Sequence, residues 1–193
     1  MLEHQQPFES VRESLGGNLV DEPGLRSTPW NTGLLLLQSA RPSSLEDALT
    51  SEIGLELPTP QQSSARGDHA LLWLTPAEWL LAIPSTRTDS LQSALTRRLA
   101  TSLATVIDVS DAFASCEVTG ARAAETLMSG CSLDLRALAF PSGRVARTAL
   151  ASIPAILWNP GGEPHRLRCL IDRSFAGHLR EWLVDAAQIR RES

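Results

Sequence analysis

Two apolar runs, His69 to Leu74 and Trp79 to Ile83, stand on either side of Thr75-Pro76-Ala77-Glu78. A connection this short joins antiparallel neighbours, because a parallel crossover needs a dozen or more residues. The four-residue string has the form of a capping box with proline at its first helical position, so one helical turn is expected between the strands. Everything else in the chain has to be arranged around this pair.

Upstream, Gly33 to Gln38 reads as a buried strand. Ser44 precedes Leu45, Leu49 and Ile53, with Glu46 and Asp47 in the first turn, which predicts a short helix capped by Ser44 and ending at Gly54. Residues 55–67 are rich in Pro, Gln and Ser and read as a loop. Downstream, Leu91, Leu95 and Leu99 share one face of a helix near Asp89–Leu99, and Thr105 to Val109 reads as a strand. The order is β-α-β-β-α-β, the split βαβ or ferredoxin-like arrangement.

A second, similar run follows. Phe113 to Val118 is a strand, and Ala121 to Met128 a helix closed by Gly130. Arg144 to Leu150, Ile153 to Trp158 and Arg166 to Ile171 are strands, with Asn159-Pro160-Gly161-Gly162 as a turn. Ser174 caps a last helix reaching about Ala187, with Phe175, Leu179, Trp182, Leu183 and Ala186 on its apolar face. The expected fold class is α+β, with two ferredoxin-like halves, antiparallel sheets and helices on one face. The expected division is an irregular N-terminal arm over 1–32, a first α/β half over 33–110, a second over 111–188 and a C-terminal tail over 189–193. The arm has no period, and Gly16-Gly17, Pro23-Gly24 and Pro29 interrupt it. Its large side chains, Phe8 and Trp30, are the candidate partner contacts.

The residue types narrow the chemistry. All 17 basic residues of this 193-residue chain are arginine. Without lysine the chain by itself can form no Schiff base and has no phosphate-loop lysine. The net charge of −5 argues against nucleic acid and anionic membrane as main partners. No apolar run approaches the roughly 18 residues of a membrane helix. MLEHQQPFES has neither a basic nor an apolar leader region, so a cytoplasmic location is expected. Cys116, Cys131 and Cys169 are scattered and odd in number, which reads as buried thiols in a reducing compartment.

No cluster of reactive residues emerges. His4, His69, His165 and His178 show no metal-ligand spacing. Asp108, Ser110 and Asp111 lie at a strand end without a nearby histidine or a nucleophile elbow, and read as a side-chain-stabilised turn. Gly161-Gly162 has neither a helix start nor a basic residue beside it, so it reads as a hairpin turn rather than a phosphate cradle. Trp73 and Trp79 flank a turn, where packing is their common use. The chain is expected to hold no catalytic, cofactor-binding or metal residues.

Longer strings carry a resemblance. Leu71-Leu72-Trp73-Leu74-Thr75-Pro76-Ala77-Glu78-Trp79-Leu80-Leu81, Val106-Ile107-Asp108-Val109-Ser110-Asp111-Ala112 and Glu117-Val118-Thr119-Gly120-Ala121-Arg122-Ala123 come in order. Gly130-Cys131-Ser132-Leu133-Asp134-Leu135, Phe140-Pro141-Ser142-Gly143-Arg144-Val145-Ala146-Arg147-Thr148 and Arg173-Ser174-Phe175-Ala176 follow. This set, over roughly residues 30 to 188, resembles the gamma subunit of heterotetrameric sarcosine oxidase. The resemblance implies an aminomethyltransferase-like fold and a non-catalytic role beside alpha, beta and delta subunits. It places FAD, FMN, NAD, zinc and tetrahydrofolate in those partners and none in this chain. The implied reaction of the assembly takes sarcosine to glycine, with peroxide formed from oxygen and the methyl carbon leaving as formaldehyde or methylene-tetrahydrofolate. No motif here accepts the aminomethyltransferase catalytic aspartate or folate contact, so no site residue is carried over. Two other readings are an equivalent subunit of an oxidase or dehydrogenase for another secondary amine, and a free-standing folate-binding protein.

Overall fold

The computed structural model describes residues 19–189, which divide into two compact units. One comprises residues 31–110 together with 143–146; the other takes 19–30, 111–142 and 147–189 of the described chain.

The first unit is built on β3 (Gly33–Ser39), β4 (Ser63–Arg66), β5 (His69–Thr75), β6 (Glu78–Ile83) and β7 (Ala104–Asp108). They form an antiparallel sheet in the order β4-β5-β6-β3-β7. Alternation puts Leu35, Leu37, Leu71, Trp79, Leu81 and Ile83 on one face. Two helices supply the opposing layer, α1 (Pro42–Ile53) with Leu45, Ala48 and Leu49, and α2 (Thr88–Arg98) with Leu91 and Leu95. The other face is apolar too, with Leu34, Leu72 and Leu80 buried.

Local chemistry sets the boundaries. Helix α1 starts on Pro42, whose missing N–H costs nothing in a first turn, so Ser44 lies inside the helix rather than capping it. It stops at Gly54, which takes a left-handed conformation and donates its N–H to the Thr50 carbonyl. The helical turn expected at Thr75–Glu78 does not form. Thr75 and Glu78 pair with each other as strand residues, which leaves Pro76-Ala77 as a two-residue link. The loop expected over 55–67 contains β4, whose Ser63-Ser64-Ala65-Arg66 pairs with Leu72 back to His69. These polar residues show no alternation because backbone groups, not side chains, hold the strand in place.

The second unit holds β1 (Val20–Glu22), β2 (Leu25–Pro29), β8 (Phe113–Thr119), β9 (Val145–Leu150), β10 (Ile153–Trp158) and β11 (Arg166–Asp172), in the order β1-β2-β8-β11-β10-β9. Strand β9 enters this sheet from residues 143–146, which belong to the first unit: there Ser63 donates its N–H to the Gly143 carbonyl and Val145 to the Gln61 carbonyl. Helices α3 (Ala123–Met128) and α4 (Ala176–Ile189) pack on each other and bury Ala123, Leu127, Leu179, Leu183 and Ala186. The cap at the start of the last helical segment is Asp172, which accepts the Ser174 N–H, in place of the expected Ser174. Trp182 is half-buried, with its ring over Gly130.

The two sheets share one connectivity. In the first, β5-β6-β3-β7 is the ferredoxin-like order, with β4 added outside β5. In the second, β10, β11 and β8 take the places of β5, β6 and β3, and β9 is the added strand. The place of β7 is filled from the other end of the chain, by β2.

This corrects the irregular arm expected over 1–32. Within the described residues, Val20–Glu22 and Leu25–Pro29 form a hairpin that closes the sheet. Phe8 and residues 1–18 lie outside the described residues, as does the tail beyond Ile189. The reason for the hairpin is that β8 would otherwise expose a row of unpaired N–H and C=O groups. Leu25 and Ser27 point inward and are buried, which is too few positions to show a period. Gly120 at the end of β8 has φ +110, and a Cβ there would come within 2.3 Å of the Gly24 carbonyl oxygen. Only glycine lets the hairpin come this close. Arg122 then binds it, donating its backbone N–H to the Gly24 carbonyl, pairing with Glu22 at 3.6 Å and donating to the Ala187 carbonyl of α4 at 2.9 Å.

Candidate functional site

One register row crosses the six-stranded sheet as Trp158, Arg168, Glu117 and Thr28. Alternation puts these side chains on one face, and Trp30 follows β2 beside them. The Arg168 guanidinium lies 4.1 Å from the centroid of the Trp30 ring and 4.9 Å from that of Trp158. The two indoles are 5.5 Å apart and tilted. Arg168 Nε donates to Glu117 Oε2 at 2.8 Å, and Arg166 Nε stands 3.6 Å from the other carboxylate oxygen. Trp30 is held from behind, its backbone N–H donating to the Ser115 carbonyl and its own carbonyl accepting the Ser115 hydroxyl.

Burial lowers the Arg168 pKa from the ordinary guanidinium value, and the hydrogen bond to Glu117 opposes that change. An arginine does not give up its proton under these conditions. The cluster therefore stores a charge between two indoles and moves no proton. It is suited to fixing Trp30 against the sheet.

Most of the remaining singled-out residues that the structure describes are engaged by the fold; the buried His69 Nε2 has no hydrogen-bond partner. Asp108 Oδ1 accepts both the N–H and the hydroxyl of Ser110, at 2.8 and 2.6 Å, and Ser110 Oγ accepts the Leu34 N–H at 2.9 Å. This is the turn expected from the sequence, with its serine already engaged. Cys116 and Cys169 face each other across β8 and β11, both fully buried, and the neighbouring Cys116 thiol together with burial pushes Cys169 up. Such a thiol is not a nucleophile. Cys131 is half-buried and accepts the Leu133 N–H at 3.4 Å. His165 and His178 sit by the carbonyls of Leu135 and Ala151 at 3.2 and 2.9 Å. His69 begins β5, and His4 lies outside the described residues. Gly161 closes a turn on the Asn159 side chain, which accepts its N–H at 2.8 Å while donating to the Phe140 carbonyl at 2.7 Å. Trp79 is buried in the first unit's core, with Trp73 packed against it. Among the described residues no three His, Cys, Asp or Glu side chains are grouped to hold a metal ion. No helix of the described chain is long and apolar enough to cross a membrane.

Sequence reasoning missed Arg168, Glu117 and Trp158. The strands carrying them were legible, but nothing local sets Arg168 opposite Glu117, 51 residues away.

Asp134 offers an independent check on the loop that follows α3. Arg136 binds its carboxylate through two side-chain nitrogens at 2.8 and 2.5 Å and through its backbone N–H at 3.1 Å. These hydrogen bonds, the side-chain ones first, lower the Asp134 pKa from 3.8 to about 2. A depressed carboxylate pKa adds stability above the unfolded value, and this is lost as pH falls through the folded one. The window thus runs from 3.8 down to about 2. A carboxyl NMR titration is expected to give a midpoint near 2 for Asp134, returning towards 3.8 in Arg136→Ala. An Asp134 midpoint near 3.8 in the unsubstituted protein would show the pair to be broken in solution.

The order of the two antiparallel sheets and their helices defines the class: an α+β chain of two ferredoxin-like sheets. An aminomethyltransferase T of the glycine cleavage system from Bartonella henselae superposes with a TM-score of 0.67 at 14% identity, over 90% of this chain and 48% of that one, a likeness of fold alone. The model of the sarcosine oxidase, gamma subunit family matches residues 38–189, and the chain belongs to that family. A sarcosine oxidase subunit gamma from Corynebacterium sp. (strain U-96) is 32% identical over 165 residues, 84% of this chain and 73% of the relative. One from Arthrobacter sp. is 30% identical over 163 residues, again 84% and 73%. Among solved structures, a chain of heterotetrameric sarcosine oxidase from Corynebacterium sp. U-96, in complex with pyrrole 2-carboxylate, superposes with a TM-score of 0.78. It is 28% identical and the match covers 92% of this chain and 89% of that one.

Proposed function

We infer that this chain is the gamma subunit of a cytoplasmic multi-subunit sarcosine oxidase, and that it contributes a folded body and docking surfaces rather than reacting groups. The observation that carries the reading is the superposition on a chain of the heterotetrameric enzyme over nearly the full length of both chains. The described residues add support: Asp108 and Ser110 are tied into a turn, Cys131 accepts a backbone N–H, and His165 and His178 sit against backbone carbonyls. Alpha, beta and delta chains are its partners in this reading. The FAD, FMN, NAD, zinc and tetrahydrofolate sites belong to them, and the donor groups in the described part of this chain do not suit zinc.

The test is co-expression with candidate alpha, beta and delta chains, followed by size-exclusion chromatography and an assay with sarcosine. A co-eluting, flavin-containing complex that oxidises sarcosine is expected. Asp108→Ala, Asp111→Ala, Cys131→Ala, His69→Ala and His178→Ala should each keep turnover per bound flavin within about threefold, because losing a true acid, base or nucleophile costs roughly a hundredfold or more. A fully assembled, flavin-replete variant with a hundredfold slower rate would overturn the non-catalytic role. A complex that prefers another secondary amine would move the assignment to a related oxidase.

A further inference from the structure

One face of the six-stranded sheet carries more positive charge than its own carboxylates neutralise. Strand pairing sets Arg166, Thr119, Arg26 and Asp21 in one row across β11, β8, β2 and β1. The row of Trp158, Arg168, Glu117 and Thr28 lies two residues further along the same strands. Alternation points both rows to one side, while Val118 and Leu167 between them are fully buried on the other. Three guanidiniums in these two rows therefore share two carboxylates, on a chain whose net charge is −5.

The contacts show which charge is left over. Glu117 gives Oε2 to Arg168 at 2.8 Å. Its Oε1 stands 3.6 Å from Arg166 Nε, which is buried and makes no hydrogen bond. The Arg166 side chain as a whole is 35% exposed. Arg26 reaches Asp21 only at 3.9 Å, with side chains 57% and 60% exposed, so water screens that pair. Burial is the first cause of the lowered Arg168 pKa, and repulsion from Arg166 adds to it while Glu117 opposes both. Thr119 stands half-buried between Arg166 and Arg26. Its hydroxyl lies 3.5 Å from the Arg26 carbonyl, longer than a good hydrogen bond, and is available to a better acceptor. Across two strand spacings the backbones of Arg166 and Arg26 are roughly 10 Å apart, a span that two arginine side chains close over one carboxylate.

The occupant follows from this shortfall. One residual positive charge matches one carboxylate, and a guanidinium binds that group through paired N–H donors. On an open strand face water competes with a small free anion, so the carboxylate has to arrive on a surface that excludes water. A second copy meeting through the same row would set guanidiniums against guanidiniums, which disfavours self-association.

We propose that the Arg166–Thr119–Arg26 row receives an aspartate or glutamate side chain of a different subunit of the oxidase, held by the two guanidiniums and the Thr119 hydroxyl. This rests on the reading of the chain as an assembly subunit. The strand pairs of β2, β8 and β11 fix the row before binding, so docking orders side chains only.

The absence of lysine supplies the experiment. Arg166→Lys and Arg26→Lys each keep the charge and each introduce the only side-chain amine of the chain. A zero-length carbodiimide joins that amine to a carboxylate touching it. In the assembled complex, peptide mapping should find position 166 or 26 linked to an aspartate or glutamate of another subunit. Arg26→Gln/Arg166→Gln should bind the remaining subunits at least about tenfold more weakly, with the melting temperature of the free chain unchanged within about 2 °C. If the unsubstituted chain assembles and the double variant binds equally well, the row is wrong and the subunit reading stands. Links from both positions only to Glu117, to Asp21 or to a second copy also overturn the proposal. Saturation of the Arg166 N–H NMR signals of the free chain by millimolar acetate would replace the subunit carboxylate with a small free anion and overturn it too. If the unsubstituted chain assembles with no other subunit, the subunit reading itself fails. If the double variant melts lower, the cross-link decides, and no product with another subunit sinks the assignment.

Discussion

A chain beginning at Asn31 is expected to lose the six-stranded sheet. Strand β2 contributes little length, but it supplies the neighbour of β8 along Arg26–Pro29. Without it β8 becomes an edge with unpaired backbone groups. The cut also removes Leu19, Val20 and Leu25 from buried positions. At roughly 1.5–3 kcal/mol for each such side chain, the loss is about 4.5–9 kcal/mol, a large part of the stability of an ordinary domain. Amide hydrogens of β8 and β11 should then exchange freely, while those of β3 and β6 in the other sheet remain protected. A second construction separates loss of the strand from mere shortening. Arg122 binds both Glu22 and the Ala187 carbonyl, so the hairpin and the end of α4 lie within reach of one side chain. Residues 19–30 moved behind α4 on a flexible Gly/Ser linker of about eight residues should restore protection. A truncated chain that keeps full protection in β8 would refute the assignment of β2 as the closing strand.

Glu117→Ala is expected to destabilise the same unit by about 3–5 kcal/mol, the usual cost of leaving a buried charge without its partner. The Arg168 and Glu117 side chains are only 17% and 20% exposed, so solvent can do little to compensate. Arg168 would keep its contacts with Trp30 and Trp158 but lose its counter-charge. Replacing both charges, as Glu117→Leu with Arg168→Met, should recover most of the loss, because an apolar pair of similar volume often replaces a buried ion pair at little cost. Urea unfolding followed by tryptophan fluorescence measures the loss, Trp30 and Trp158 being two of the chain's five tryptophans. A loss below about 1 kcal/mol in Glu117→Ala would mean that the ion pair behaves as a surface pair.

Much of the first sheet was legible in the sequence because its strands carry their own signals. The apolar runs of β3, β5 and β6 are longer than a turn and shorter than most helices, and the link between β5 and β6 permits only an antiparallel pair. The leucine spacings of α1 and α2 and the glycine after α1 were equally plain. The resemblance drawn from ordered strings such as Gly130–Leu135 and Phe140–Thr148 agrees with the family found over residues 38–189. Those strings include positions that pin loops, among them buried Leu135 and Phe140.

What the sequence by itself determined was the element types and the α+β class, since hydrophobic period and caps are encoded within a few residues of where they act. Strands β1, β2 and β4 were decided only by tertiary structure. Each is short and largely polar, and backbone hydrogen bonds to a distant strand hold it, an interaction to which every residue type contributes alike. The same holds for the Trp158–Arg168–Glu117 row: register between strands 51 residues apart is set by how the whole sheet closes, and in this protein a strand from the start of the chain closes it.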